Sequence, residues 1–136
     1  RPSIMALGKI KADTLEHSTA GSLDTQYVVN GSAKQWSYVN DTGTSAIIDS
    51  FNTTSWSDNG TGNGTVNIAS SMGNATYNIS VSTNADNGGI NRTCGVFTGT
   101  SGTTSTAGLY RISRWIITAN SLEDGYFYSN TFGDLA

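Results

Sequence analysis

The stretch that decides the fold is residues 51–83, which read FNTTSWSDNGTGNGTVNIASSMGNATYNISVST. In its middle, apolar Val66 and Ile68 alternate with polar or small neighbours. Such period-two alternation is typical of a β-strand with one packed face and one solvated face. The same alternation returns further along at Tyr77, Ile79 and Val81.

Turn residues separate these strand patterns. Residues 58–64, with the sequence DNGTGNG, are rich in Gly and Asn, which accept the positive φ angles of tight turns. Gly73 and Asn74 supply the same chemistry before the last strand pattern. The stretch therefore predicts three consecutive strands in an antiparallel meander.

The rest of the chain extends this reading. Ser, Thr, Asn and Gly make up nearly half of the 136 residues, a composition that disfavours helices and favours short strands with many turns. The length suits one compact domain. We expect an all-β, jelly-roll-like antiparallel β-sandwich of about eight short strands. The predicted strands are residues 35–39, 46–52, 53–57, 65–69, 75–83, 91–97, 109–118 and 126–132.

The first 27 residues differ from the remainder because they concentrate charged side chains. They are compatible with one weak helical turn or with an extended arm, and we favour the arm because so short a helix is unstable alone. We expect residues 1–27 to be an oligomerisation arm and residues 28–136 to be the sandwich. The apolar residues of the arm are candidate positions for the oligomer interface: Ile4, Leu7, Ile10 and Leu15.

Trp115 joins this candidate oligomer interface for another reason. The predicted strand over residues 109–118 has apolar residues on both faces. Such a strand is either central in its sheet or covered by another subunit. A subunit packed on its second face would cover Trp115.

Several functions are disfavoured by what the chain contains. Seven Lys and Arg residues against ten Asp and Glu give a formal net charge of −3, so we expect no nucleic-acid partner. No run of about 18 apolar residues occurs, so no membrane insertion is expected. The single histidine, His17, and single cysteine, Cys94, supply neither a nucleophile–base pair nor a zinc site. We expect a non-enzymatic protein without cofactor or metal.

Aromatic and amide side chains are the remaining candidates for binding. Aromatic faces with neutral hydrogen-bonding groups suit sugar rings, so glycan binding is chemically plausible, although any one aromatic residue is more often core or subunit interface. Trp56, Tyr126 and Tyr128 are candidate surface contacts.

Several words in the sequence carry a family resemblance. They are DTQYVVNGSAKQW at residues 24–36, GTSA at 43–46, DSFN at 49–52, DNGTG at 58–62 and VNI at 66–68. Together they resemble the C-terminal domain of tail-fibre and related virion proteins of marine bacteriophages. The closing FGDLA at residues 132–136 looks like the natural end of those chains. The resemblance covers most of residues 9–83 and the terminus, whereas residues 84–131 match poorly.

The resemblance implies a virion structural protein, a homotrimer displayed extracellularly on a fibre or spike, that contacts other virion proteins and a glycan or protein of the host surface. The poorly matching stretch after Asn84 fits a variable, receptor-facing region. Candidate contacts there are Asp86, Asn87, Arg92, Thr103 and Thr104. The resemblance transfers no catalytic residue to this chain.

Two other functions stay open at this point. One is a capsid decoration or filament-forming virion subunit that assembles through residues 1–27. The other is a secreted carbohydrate-binding module attached to an enzyme. The chain begins at Arg1 without Met or a signal-peptide pattern, which suggests a cut or processed start.

Overall fold

The computed structural model describes residues 11–84, 91–96 and 105–136. The chain divides into two compact units, Arg1–Ser32 and Ala33–Ala136. The N-terminal unit thus continues past residue 27, where we placed the end of the arm. No helix in the described part of the chain is long and apolar enough to cross a membrane.

The N-terminal unit contains a hairpin followed by a helix in its described part, residues 11–32. Strand β1 is Thr14–His17 and pairs antiparallel with β2, Gly21–Asp24. Helix α1 is Thr25–Gly31. The extended backbone expected here is present in β1 and β2. The two strands pair as a hairpin instead of forming one extended arm. Neither this hairpin nor α1 was predicted.

The C-terminal unit consists of strands and connections in its described part. Each of the eight predicted strands is present, with ends shifted by up to three residues, and two short strands, β9 and β11, are additional. The strands are β3 Gln35–Asn40, β4 Ala46–Phe51, β5 Thr53–Asp58, β6 Asn63–Ile68, β7 Asn78–Thr83, β8 Arg92–Val96, β9 Ser105–Thr106, β10 Leu109–Ile116, β11 Ser121–Leu122 and β12 Tyr126–Phe132.

These strands form two antiparallel sheets. In sheet one, β5 pairs with β6 and β6 with β10, and β10 also pairs with β8, β9 and β11. Sheet two has the order β4-β3-β12-β7. The predicted all-β antiparallel sandwich is confirmed. Strand β10 has paired strands along both edges, so it is a central strand of sheet one.

The apolar core lies between the two sheets. Sheet one contributes residues of β6 and β10, and sheet two contributes residues of β3 and β12, so burial of these side chains holds the layers together. Met72, in the connection after β6, is buried in the same core. The buried apolar residues are Val39, Val66, Ile68, Met72, Tyr110, Ile112 and Phe127.

A polar cluster lies within this core, and we call it the buried tyrosine cluster: Tyr110, Gln35, Ser37 and Ser129. The Tyr110 hydroxyl, on sheet one, lies 2.8 Å from Gln35 Oε1 and 2.7 Å from Ser129 Oγ, on sheet two. The Ser37 and Ser129 hydroxyls lie 2.8 Å apart. Burial raises the pKa of Tyr110 to about 12. The hydrogen bonds of the cluster satisfy polar groups buried between the sheets and link one sheet to the other.

The predicted hairpin between β5 and β6 is confirmed, but the three-strand meander is wrong. Gly60 and Gly62 take φ values of 114° and 61° in the β5–β6 turn, as the Gly-rich sequence predicts. Strand β7, however, pairs with β12 in sheet two instead of with β6. Alternation reports which side chains share a face of one strand, but it carries no information about the neighbouring strand.

The predicted alternation of packed and solvated faces is observed in β7, where Asn78, Ser80 and Ser82 are exposed. In β6 the solvated face is not observed at Thr65, which is buried. Asn59 Nδ2 donates a hydrogen bond of 2.7 Å to Thr65 Oγ1, which offsets the loss of water there.

Candidate functional site

The outer face of sheet two presents aromatic rings to solvent. Along β3, Gln35, Ser37 and Val39 are buried, so the residues between them point outward. The same alternation in β12 buries Phe127, Ser129 and Thr131 and turns their neighbours outward. We call the resulting surface the aromatic face, composed of Trp36, Tyr38, Tyr126, Tyr128, Ser80, Ser82 and Asn130.

Strand register decides which of these side chains meet. Tyr128 lies directly opposite Tyr38 on β3 and opposite Ser82 on β7. Asn130 lies opposite Trp36 and Ser80 in the same way. Aromatic side chains of β3 therefore stand beside aromatic and amide side chains of β12, with serine hydroxyls along β7.

The tyrosine rings are held in a fixed arrangement. The rings of Tyr38 and Tyr128 are stacked, with centroids 4.6 Å apart and planes inclined by 10°. The ring of Tyr126 lies 5.9 Å from that of Tyr38. Cross-strand aromatic pairs of this kind contribute to sheet stability and restrict side-chain motion.

A shallow groove of about 310 Å³ runs over this face, with Trp36, Tyr38, Tyr128 and Asn130 in its lining. Trp36 is 38% exposed and Tyr128 is 40% exposed. The volume is at the lower end of the roughly 300–1,000 Å³ typical of small-molecule sites. The groove thus offers flat apolar surface of a size that suits a small ligand or a short segment of a polymer.

The groove is electrically neutral. None of the described residues that line it is an acid or a base. A side-chain hydrogen bond with Tyr128 raises the pKa of the Tyr38 phenol above its ordinary value, so this hydroxyl stays protonated at neutral pH. The groove therefore presents neutral hydroxyl and amide groups rather than charges.

One polar atom in the lining has no partner. Asn130 Oδ1 is buried and makes no hydrogen bond within the described part of the chain. A buried acceptor without a partner costs free energy, because it has lost water and gained nothing in return. A ligand hydroxyl that reached this amide would recover that cost.

Of the predicted surface contacts, Tyr126 and Tyr128 lie on the aromatic face, but Trp56 does not. The Trp56 ring packs against Phe127 with centroids 5.3 Å apart, and its indole N–H donates to Asp41 Oδ1 at 2.9 Å. Its ring also covers Gly64, where any Cβ would lie 1.8 Å from a ring atom. Trp56 is therefore partly buried and packs against the core, and its role as a surface contact stays a prediction.

Arg92 also proves to be engaged within the fold. Its guanidinium forms an ion pair with Glu123, with Arg92 Nη2 lying 3.1 Å from Glu123 Oε1. The fully buried Arg114 donates to the other oxygen of the same carboxylate at 2.5 Å, and to the Asp124 carbonyl at 2.8 Å. Arg92 is therefore part of a partly buried ion network and is not a free surface cation.

The remaining predicted positions divide into two groups. Leu15 is 48% exposed on β1, and Trp115 is partly buried on β10, opposite Leu122 and Thr93. Both stay predictions as interface residues. The other candidates lie outside the described residues: Ile4, Leu7, Ile10, Asp86, Asn87, Thr103 and Thr104.

Sequence reasoning did not select Trp36, Tyr38, Ser80, Ser82 and Asn130 as site residues. The available signal was the alternation itself, since WSY at residues 36–38 and YFYSN at residues 126–130 place aromatic or amide residues at every second position. What the alternation could not show is that β3, β12 and β7 are neighbours, which brings these residues onto one surface.

Other chemistry is limited within the described residues. They contain no group of three or more His, Cys, Asp or Glu side chains placed to hold a metal ion. The Cys94 thiol is partly buried, and this burial raises its pKa, which lowers the fraction of reactive thiolate.

Comparison with known proteins does not assign this chain to a family. No protein-family model, curated protein or solved structure matches the chain. The resemblance to phage virion proteins therefore stays a prediction from the sequence.

Proposed function

We propose that this protein is a non-enzymatic virion structural protein, a fibre or spike domain displayed on a bacteriophage particle, that contacts the host cell surface through the aromatic face. The single observation that supports contact at this place is the stacked Tyr38–Tyr128 pair, in which Tyr128 is exposed, on the same sheet face as the exposed Trp36. The virion assignment rests on the sequence resemblance over residues 9–83 and at the terminus.

The composition of the aromatic face is typical of recognition surfaces. Tyr and Trp are enriched at protein interfaces because each offers a large, rigid contact area with a polar group at its edge. Ser and Asn beside them supply adaptable neutral hydrogen bonds. Trp36, Tyr128, Ser82 and Asn130 provide this combination on neighbouring strands.

The face is also organised before a ligand arrives. Strands β3 and β12 each have a partner on both sides, which fixes the backbone beneath the rings. Stacking of Tyr38 on Tyr128 restricts both side chains further. Less conformational entropy is then lost on binding, so a shallow surface can still give useful affinity.

The exposed surface of the N-terminal unit supports self-association, and we propose that the oligomer is a homotrimer. All of its described side chains are exposed apart from Thr25, which is partly exposed, and His17, whose side chain is not described. A two-stranded hairpin and a seven-residue helix are marginal in water without a packing partner. The exposed apolar residues are Leu15, Leu23, Tyr27, Val28 and Val29.

The same observation favours a second candidate, a capsid decoration or filament subunit that assembles through its N-terminal unit. Deleting residues 1–32 tests this second candidate, because it requires assembly through that unit. If this unit alone drives assembly, the truncated protein is a folded monomer by light scattering while the full chain is a larger oligomer. Unchanged oligomer size after the deletion would contradict this second candidate.

The third candidate, a secreted carbohydrate-binding module, would use the same aromatic face but needs no self-association. Size-exclusion chromatography with light scattering on the full chain distinguishes it. A trimer supports the fibre domain, and a monomer at high concentration supports the module.

Cell adsorption tests the proposed function itself. Fluorescently labelled full-length protein is mixed with a panel of marine bacteria and counted by flow cytometry. We expect saturable adsorption to some strains, lost in Trp36→Ala and kept in the matched control Ile117→Ala, which removes a side chain that is 59% exposed outside the aromatic face. The proposal fails if no strain adsorbs the protein or if both variants adsorb equally.

A further inference from the structure

We infer that the aromatic face binds an uncharged glycan, with Trp36 and Tyr128 as stacking platforms and with Ser80, Ser82 and Asn130 as hydrogen-bonding partners. This inference rests on the proposed function, because it names the class of host-surface molecule that the same face contacts.

The first argument is the shape and character of the rings. Trp36 lies opposite Asn130, and Tyr128 is two positions from Asn130 on the same strand, so Trp36 and Tyr128 are diagonal neighbours about 7–8 Å apart at the backbone. The stack with Tyr38 covers one face of the Tyr128 ring, and the Tyr128 residue as a whole remains 40% exposed. Sugar rings present a flat C–H surface that packs against such an aromatic face.

The second argument is the arrangement of polar groups around the rings. Ser80 and Ser82 lie exposed on β7, next to Asn130 and Tyr128 respectively. Each hydroxyl donates and accepts a hydrogen bond, and an amide does both through different atoms. A sugar carries hydroxyls around the edge of its ring, so groups of this kind at the margin of an aromatic platform match it.

The third argument is charge. The described lining of the groove has no Lys or Arg to pair with a uronate or sulfate, and no Asp or Glu to pair with an amine. Desolvating a charged ligand without an opposite charge is unfavourable. The neutral lining therefore favours an uncharged glycan over an anionic one.

The fourth argument is the unpartnered Asn130 Oδ1. Asn130 lines the groove, and its side-chain oxygen has lost water without gaining a protein donor. A glycan hydroxyl would then supply the missing donor. Asn130→Ala removes this acceptor without touching the aromatic platforms.

The test is adsorption to cells whose surfaces have been altered selectively. Adsorbing strains are treated with periodate, which cleaves vicinal diols of sugars, or with protease, which removes surface proteins. Soluble dextran and galactomannan, whose sugar residues carry vicinal diols, serve as neutral competitors, and alginate serves as the anionic control. We expect periodate to abolish adsorption, protease to spare it, and at least one neutral polysaccharide to compete while alginate does not.

Direct titration gives the residue roles. Binding of the competing polysaccharide is followed by isothermal calorimetry. We expect Trp36→Ala and Tyr128→Ala to weaken binding about tenfold or more, Asn130→Ala to weaken it by a smaller factor, and Ile117→Ala to leave it unchanged.

The outcomes separate the two proposals. Adsorption that is lost with protease, survives periodate and still requires Trp36 overturns the glycan inference and keeps the host-contact function. Competition by alginate alone overturns the neutral character of the ligand. Binding to a neutral polysaccharide without adsorption to any strain supports the ligand class and contradicts the host-attachment role.

Discussion

The inward and outward sides of sheet two use the same kinds of residue for opposite purposes. Inside, the buried tyrosine cluster joins a phenol to serines and a glutamine, with its hydrogen bonds made within the protein. Outside, the aromatic face combines tyrosines with serines and an asparagine, which are left facing solvent. The two sets alternate along the same strands, as Ser129 and Tyr128 do. Residue type alone therefore does not decide whether a side chain maintains the fold or is free to bind.

The largest expected contrast is between two adjacent aromatic residues of β12. Phe127 is 1% exposed and Tyr128 is 40% exposed. We expect Phe127→Ala to lower the free energy of unfolding by about 3–5 kcal/mol, because it leaves a cavity in the core. Tyr128→Ala should cost about 1 kcal/mol, from the lost stack with Tyr38. Chemical denaturation followed by circular dichroism measures both, and equal losses would contradict the assignment of the two faces.

Alkaline pH should destabilise the protein through the buried tyrosine cluster. Burial raises the pKa of Tyr110 to about 12, above the value of an unfolded tyrosine. A folded pKa above the unfolded pKa gives stability that is full below about pH 10 and is lost as the pH rises toward 12. The loss from Tyr110 is roughly 2–3 kcal/mol, and Tyr77, whose pKa burial also raises to about 12, acts in the same direction.

Unfolding free energies at about pH 9 and about pH 11.5 test this expectation. Wild-type protein should lose stability between the two values, and Tyr110→Phe should lose less because its buried group no longer ionises. An equally steep decline in Tyr110→Phe would show that the buried tyrosine cluster is not responsible.

Removing a single hydroxyl gives a finer comparison. Tyr110→Phe leaves Gln35 Oε1 and Ser129 Oγ without the Tyr110 partner, so we expect a loss of about 1–2 kcal/mol at neutral pH. Tyr38→Phe removes a solvent-facing hydroxyl and should change stability by no more than about 0.5 kcal/mol. Thermal or chemical unfolding of both variants measures the two losses of stability. A larger loss for Tyr38→Phe than for Tyr110→Phe would contradict the structural role of the buried tyrosine cluster.

The sequence predicts most of the local structure of this protein. Short strand-forming runs separated by turn residues mark all eight main strands, and the Gly and Asn residues at 59–64 mark the β5–β6 turn. Those signals are short-range: they arise from side-chain direction and backbone φ preference within a few residues. They also place Trp36 and Tyr38 on one side of a strand before any partner strand is known.

Long-range pairing is what the sequence leaves open. Strand β7 pairs with β12 in sheet two. The sequence of the connection that precedes it, residues 69–77, does not determine which strand becomes its neighbour. For the same reason the sequence did not predict the packing of Trp56 against the core or the Arg92–Glu123–Arg114 network, whose members come together from β8, β10 and the connection after β11. The aromatic face depends on pairing as well, so only its separate strands were predictable.

The central claim is that the inner side of sheet two maintains the fold and the outer side recognises a ligand. The most direct test replaces two neighbouring residues of β12, Tyr128 and Ser129. The free energy of unfolding and the adsorption to an adsorbing strain are measured on the same preparations. We expect Tyr128→Ala to lose adsorption by about tenfold or more while the free energy of unfolding changes by about 1 kcal/mol. Ser129→Ala should keep wild-type adsorption and lose about 1–2 kcal/mol of stability, because Tyr110 and Ser37 lose a buried partner. If adsorption and stability fall together in both variants, the division between a structural inner side and a recognising outer side is wrong.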